Sequence, residues 1–325
     1  MSRFRILFLS VLVLGLAIAP AAAGQYPQKV VDLIVPYSPG GAADISGRNL
    51  ATYGSRYLGK NMVVVNQNGA GGAVGATFVA KAKNDGYTLL VSRVGSNAAV
   101  PAINKKIAYN WDDFTFISLL EVSPFVLTVN ANSPYKTFNE LKAALLKGGS
   151  FSYSSAGVGN LQHLGVVMLA DELGVPQRNL KHIPFKGGGN AAAAAVGGHV
   201  QIFFQDMSGV INYIESGKLR ALAVTTPERS PMLPNVPTFR ELGYPEMETI
   251  LGWTGLFGPK NLPEDVVAVW GKTLQKLSAD KQWLKAVDNL GSTPRITSPA
   301  DTKAFVGKQY TKFSKLVQKL NLEIK

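Results

Sequence analysis

Val30-Val31-Asp32-Leu33-Ile34-Val35-Pro36-Tyr37-Ser38-Pro39-Gly40-Gly41 is an apolar run of strand length closed by a proline- and glycine-rich turn. This order predicts a buried strand, a tight turn and then a helix from about Ala43 to Leu58. The unit recurs directly downstream. Met62 to Val65 leads into Asn68-Gly69-Ala70-Gly71-Gly72 and a helix towards Lys83, and Tyr87 to Ser92 follows the Asp85-Gly86 turn as a third strand. Near-continuous apolar strands separated by helices argue for an α/β fold whose mostly parallel sheet is covered on both faces.

The second half of the chain repeats the plan. Phe125 to Val129 reads as a strand, and Thr137 opens a helix to about Leu146, with Glu140 at capping-box spacing. Phe151 to Ser154 leads into Ser155-Ala156-Gly157-Val158-Gly159-Asn160 and a helix ending at Leu173. Leu180 to Ile183 leads into Phe185-Lys186-Gly187-Gly188-Gly189 and an alanine helix from Asn190 to Val196. Val200 to Phe204 and Leu219 to Val224 complete this second sheet. Helices over Pro263–Leu277, Ala279–Leu290 and Pro299–Leu320 then have no strands of their own to cover. Packing logic therefore sends them back to the first unit. The expected domains are 24–124 plus 250–325, which is discontinuous, and 125–249, with a cleft between them.

Ahead of these units stand Arg3 and Arg5, an apolar run from Ile6 to Ala19, and Ala21-Ala22-Ala23. A basic start, a short apolar centre and an A-x-A exit describe a secretory signal peptide over residues 1–23, cut after Ala23. A membrane anchor is the rival reading. The run falls short of the roughly 20 residues that a spanning helix needs, and Pro20 interrupts its end. The expected location is the periplasm. The remaining chain of about 300 residues suffices for two domains of roughly 100–200 residues each. No cysteine is present, so stability must come from the core rather than from disulfides. Lys and Arg number 33 against 21 Asp and Glu, but no more than two basic residues adjoin, and no nucleic-acid motif accompanies them. The charge reads as a solvated surface with a bias towards anions; nucleic acid is not an expected partner.

Enzyme signatures are poor. Gly157-x-Gly159 lacks the third glycine of a dinucleotide fingerprint, and no phosphate-binding GxxxxGK[ST] loop occurs. Ser133-Pro134-Tyr135-Lys136 matches S-x-x-K without the partner motifs such an enzyme needs, and reads better as the start of a helix. His163, His182 and His199 show no metal-ligand spacing. No catalytic residue, metal or cofactor is expected. The glycine turns are the better candidates, because a helix N-terminus offers unpaired N–H groups and a partial positive charge to an anion. Tyr37, Ser38, Pro39, Gly40, Gly41, Ala42, Ala43 and Asp44 form one such turn. Ser155, Ala156, Gly157 and Asn160 form a second, followed by His163, and Lys186 opens a third. Glycine in any one of them also has a purely structural explanation in positive φ or tight packing. Asp44 has one too, as a first-turn acid favoured by the helix dipole.

At these turns the chain resembles a known family. Val35-Pro36-Tyr37-Ser38-Pro39-Gly40-Gly41, Asn68-Gly69-Ala70-Gly71-Gly72, Asp85-Gly86-Tyr87-Thr88-Leu89-Leu90 and Tyr153-Ser154-Ser155-Ala156-Gly157 occur in order. Ile183-Pro184-Phe185-Lys186-Gly187, Gly217-Lys218-Leu219-Arg220-Ala221-Leu222-Ala223-Val224-Thr225 and the stretch from Arg229 to Thr238 follow. Together they are similar to the Bug/TctC family, extracytoplasmic solute receptors of tripartite tricarboxylate transporters. The resemblance implies a two-domain, type II-like periplasmic binding protein fold that closes on its ligand. It implies a small carboxylate (a di- or tricarboxylate, an acidic amino acid or an aromatic acid), integral-membrane transporter subunits as partners, and a monomer. It places the Pro-Gly-Gly turn against the ligand carboxylate, Ser155 to His163 and Phe204-Gln205-Asp206 on the opposite wall, and Arg93 and Trp253 on the rim. A ligand sensor for a membrane signalling partner would use the same fold, and an exported hydrolase using Ser133 or Ser154 is the catalytic alternative.

The chain also departs from the family pattern. Ala43 stands before Asp44 where members often have Thr, Asn160-Leu161-Gln162 precedes His163, and Gln205-Asp206 replaces the usual Asp-Asn. Leu161 reads equally as core or cleft. Asp206 suits an amino group, at a cost beside a carboxylate unless it is paired.

Overall fold

Four of the five residues of the first strand, β1 (Val31–Val35), are buried, as a strand covered on both faces requires. The computed structural model describes residues 26–324, so the signal-peptide reading of residues 1–23 lies outside the described residues. After β1 come α1 (Ala42–Leu58), β2 (Met62–Asn66), α2 (Ala73–Ala80), β3 (Thr88–Arg93) and α3 (Val100–Ile103). The long β4 (Phe114–Asn130) precedes α4 (Phe138–Leu146), β5 (Phe151–Ser155), α5 (Leu161–Leu173), β6 (Leu180–Pro184) and α6 (Gly188–Val196). The chain continues through β7 (Ile202–Asp206), α7 (Ile211–Glu215), β8 (Leu219–Val224) and β9 (Leu251–Pro259). It ends with α8 (Glu264–Leu277), α9 (Lys281–Asp288), β10 (Thr293–Pro294) and α10 (Pro299–Lys319).

The strands form one curled mixed sheet in the order β2-β1-β3-β9-β4-β7-β5-β6, with β8 and β10 also on β4. β1 runs parallel to β2 and β3, and β5 runs parallel to β6 and β7. Antiparallel β9 and β4 join these two parallel groups. Phe114 to Pro124 of β4 pairs with β9, whereas Phe125 to Asn130 pairs with β7 and β8. One continuous strand thus serves both halves. The sequence pattern predicts only its second part, and it treats β9 as a mere return. Ser118, Glu121 and Ser123 are buried in β4, and Gly252, Gly255 and Gly258 punctuate β9, so neither reads as an apolar strand.

The terminal helices do return to the first half. Trp270, Leu274 and Leu277 of α8 and Trp283 of α9 share a core with Leu33 of β1 and Leu50 of α1. Val306, Phe313 and Val317 of α10 pack with Val100, Phe116 and Trp253. The expected cap of α4 is present, with Glu140 N–H donating to Thr137 Oγ1 at 3.2 Å and the Glu140 carboxylate accepting from Thr137 N–H. Among the described residues, no helix is long and apolar enough to cross a membrane.

The two crossings between the halves are tied by one hydroxyl. Phe125 N–H donates to Thr225 Oγ1 at 2.8 Å, and that hydroxyl donates to the Ile250 carbonyl at 3.0 Å. Thr225→Val keeps the shape and leaves both backbone groups buried without partners. The expected loss is about 1–3 kcal/mol, read as a lower urea midpoint at unchanged slope.

Candidate functional site

A cavity of about 40 Å³ lies where the strand-to-helix turns of the two halves meet. At roughly 10–15 Å³ per water, it has room for about three waters or one small organic molecule. Tyr37, Gly41, Ala42, Ala43 and Arg93 line it from the first half, together with Val94 and Gly95. Ala156, Asn160, Leu161, Gln162, Gly188, Gln205 and Asp206 line it from the second, with Phe125 of β4 between.

Two helices present uncapped N-termini here. Neither Gly41, before α1, nor Gly187, before α6, supplies a side chain to the first-turn amides. Those N–H groups remain available to a ligand, and each helix end carries about half a positive charge. α5 differs, because Asn160 Oδ1 accepts from His163 N–H at 3.1 Å and so caps it. The two free ends nearly touch. A Cβ on Gly41 would stand 3.1 Å from Gly189 N, and one on Gly189 would strike the Pro39 carbonyl. A Cβ on Gly157 would likewise lie 2.7 Å from Gly71 Cα. Glycine at these positions is required by the approach of backbone to backbone across the cleft.

Charge in the cavity is confined to one buried ion pair that bridges the halves. Arg93 Nη2, at the end of β3, donates to Asp206 Oδ1, at the end of β7, at 2.9 Å. Arg93 Nη1 donates to Thr254 Oγ1 at 2.5 Å, and the Thr254 hydroxyl donates to Glu121 Oε1 at 3.3 Å. Ser208 Oγ also donates to Asp206 Oδ1, at 3.1 Å. Burial pushes the Glu121 carboxyl above the ordinary carboxylate range, against the pull of Arg93. Burial also pushes the Tyr37 phenol up to about 12, and its O–H donates to the Gly71 carbonyl at 3.0 Å.

The remaining expected site residues lie elsewhere. Asp44 is occupied within its own half by Arg48, Asn66 and the Gly40 N–H. Burial raises its pKa, but these partners outweigh that and hold it below the ordinary range. Ser38 is buried against Gly187, while Pro39 and Gly40 face outward. Lys186 is exposed on an outer groove beside Val158 and Ile324. Arg93 does line the cavity, but it is buried inside it rather than on the rim, at 5% exposure. Trp253 is not on the rim either. It is fully buried in β9 and packs on Phe257 and Phe305, because alternate residues of a central strand must enter the core.

His163 stacks on His182 at 4.2 Å between ring centroids, with planes 2° apart, and both lie near Tyr153. Gly159 N–H donates to His163 Nδ1 at 3.1 Å, and His182 Nε2 meets Ser155 Oγ at 2.6 Å. The pair therefore braces the Ser155–Gly159 turn from behind rather than facing the cavity. Burial lowers His163 to about 4 and His182 to about 3, the latter helped by His163. The neutral rings therefore contribute stability above pH 6.5, which is lost as the pH falls towards about 4 and 3. Thermal unfolding followed from pH 7.5 to 4 is expected to show a falling midpoint, with a shallower fall in His182→Gln.

The family profile described as Tripartite tricarboxylate transporter family receptor matches residues 47–322. Protein BugT of Bordetella pertussis is 31% identical over 313 residues, 94% of each chain. The structure of the periplasmic binding protein BugD superposes with a TM-score of 0.87 at 33% identity, covering 92% of this chain and all of that one. MatC from Rhodopseudomonas palustris with bound malate gives 0.84 at 29% identity, over 90% and 100% of the two chains. A second R. palustris protein, with adipate, gives 0.86 at 26% identity, over 91% and 98%.

Proposed function

Because the chain belongs to the receptor family of tripartite tricarboxylate transporters, we propose that it is a periplasmic solute-binding protein that captures a small carboxylate for such a transporter. The observation that carries this reading is the meeting of two uncapped helix N-termini, those of α1 and α6, at one small cavity. Each offers free N–H groups and a partial positive charge, and neither needs a cationic side chain to hold an anion. Malate and adipate in the two R. palustris structures support an organic acid of modest size.

In this reading residues 24–124 and 250–325 form one domain and 125–249 the other. They pivot about β4 near Phe125 and about the segment before β9. The carboxylate lies against Gly41, Ala42 and Ala43 from one side and Gly188 from the other. Asn160, Gln205 and Tyr37 complete the wall, and integral-membrane subunits receive the solute. The test is a thermal-shift panel of mono-, di- and tricarboxylates. A ligand at 100 times its Kd adds about 2.7 kcal/mol of stability, which moves the midpoint by several degrees. Absence of any shift with every carboxylate would overturn the reading.

A further inference from the structure

We propose that Asp206 makes this site selective for a small zwitterion, an α-amino acid whose carboxylate lies at the N-termini of α1 and α6 and whose ammonium is accepted by Asp206 Oδ2. The proposal rests on the carboxylate reading above and narrows it to one class of ligand.

Asp206 lines the cavity and is 4% exposed. Its Oδ1 accepts from both Arg93 and Ser208. Its Oδ2 accepts no hydrogen bond from the described residues, so one oxygen of a buried carboxylate still lacks a donor. Buried charges are stable only when their remaining lone pairs are satisfied. Glu121 adds a second carboxyl group beside the same guanidinium, through Thr254. The free Oδ2 of Asp206 leaves this end of the cavity receptive to a cation. The other end is receptive to an anion, because of the helix termini.

The two ends are close together. Gln205 lines the wall between them: its Oε1 accepts from the backbone N–H of Asp206 at 3.0 Å. Its Nε2 lies 2.6 Å from where a Cβ on Gly188, the first residue of α6, would stand. Both ends line the same cavity of about 40 Å³, a span that suits an ammonium and a carboxylate on a single carbon. Phe125 and Leu161 supply apolar wall, and about 40 Å³ admits only a short side chain. A dicarboxylate would bring its second anion up against Asp206 with no spare cation to meet it.

The experiment is calorimetric titration of the native protein with matched pairs that differ only by the amino group: alanine against propionate, and aspartate against succinate. A charge-assisted hydrogen bond to a buried carboxylate leads us to expect the amino partner to bind about tenfold or more tightly in each pair. Asp206→Asn should erase that difference. Propionate and succinate binding as well as their amino partners would overturn the zwitterion proposal and leave the carboxylate reading standing. No binding by any of the four, nor by malate or adipate, would overturn both. Should Asp206→Asn fail to fold, the matched pairs on the native protein decide the matter alone.

Discussion

Replacing Arg93 by alanine is expected to lower the unfolding free energy by about 3–5 kcal/mol, the cost of breaking a buried ion pair from one side. Arg93 and Asp206 are 5% and 4% exposed and lie on strands from opposite halves. Without the guanidinium, the Asp206 carboxylate keeps only Ser208 Oγ as a donor, and Glu121 loses the one cation near it. The paired replacement Arg93→Met with Asp206→Leu should recover most of the stability, because removing both charges together removes the unpaired anion. Urea unfolding of the single and double variants measures this directly. A single variant within 1 kcal/mol of the native protein would mean that solvent already screens the pair.

Gly189→Ala should leave the fold intact and impair ligand capture. Gly189 sits in the first turn of α6, where alanine is favoured over glycine by up to about 1 kcal/mol. Its Cβ would nevertheless strike the Pro39 carbonyl of the opposite half. The half-to-half contact must then widen, or accept overpacking strain of about 1–3 kcal/mol. A strain of that size should depopulate the closed arrangement that the proposed pivot implies, so the apparent affinity is expected to fall roughly 5–150-fold. Calorimetry on the variant, with its unliganded melting temperature as control, checks both halves of the prediction. Equal loss of melting temperature and affinity would point to a damaged α6 instead of a blocked closure.

Local chemistry made much of this fold legible in the sequence. Apolar runs followed by glycine turns marked β1 with α1, β5 with α5 and β6 with α6, and Thr137 with Glu140 marked the cap of α4. What was hidden lies in the middle of the molecule. β4 buries Glu121 and Ser123, which meet Thr254 and Ser208 from far along the chain, so local polarity argued against a strand. The glycine turns that the sequence singled out do gather at one cavity, since the strands before them run in opposite directions in the two halves and end facing each other at the middle of β4. Which side chains enter it was not legible. Nothing near Arg93 announces a carboxylate 113 residues away, nor does spacing reveal that His163 and His182 stack from neighbouring elements. Asp44 looked like a ligand residue because it adjoins the turn, yet Arg48 one helical turn later already claims it.

The strand shared by both halves carries a consequence for how the chain can be cut. β4 gives its first eleven residues to β9 and its last six to β7 and β8. A break after Pro124 would leave the β4 segment that pairs with β7 and β8 starting from a new chain end, cut off from the part that pairs with β9. Neither half is therefore a separable module, although each has a core of its own. Calorimetric unfolding should show one transition, and an excised 125–249 fragment should not survive as a folded protein. The proposed motion about Phe125 and the integrity of the whole thus depend on the same backbone.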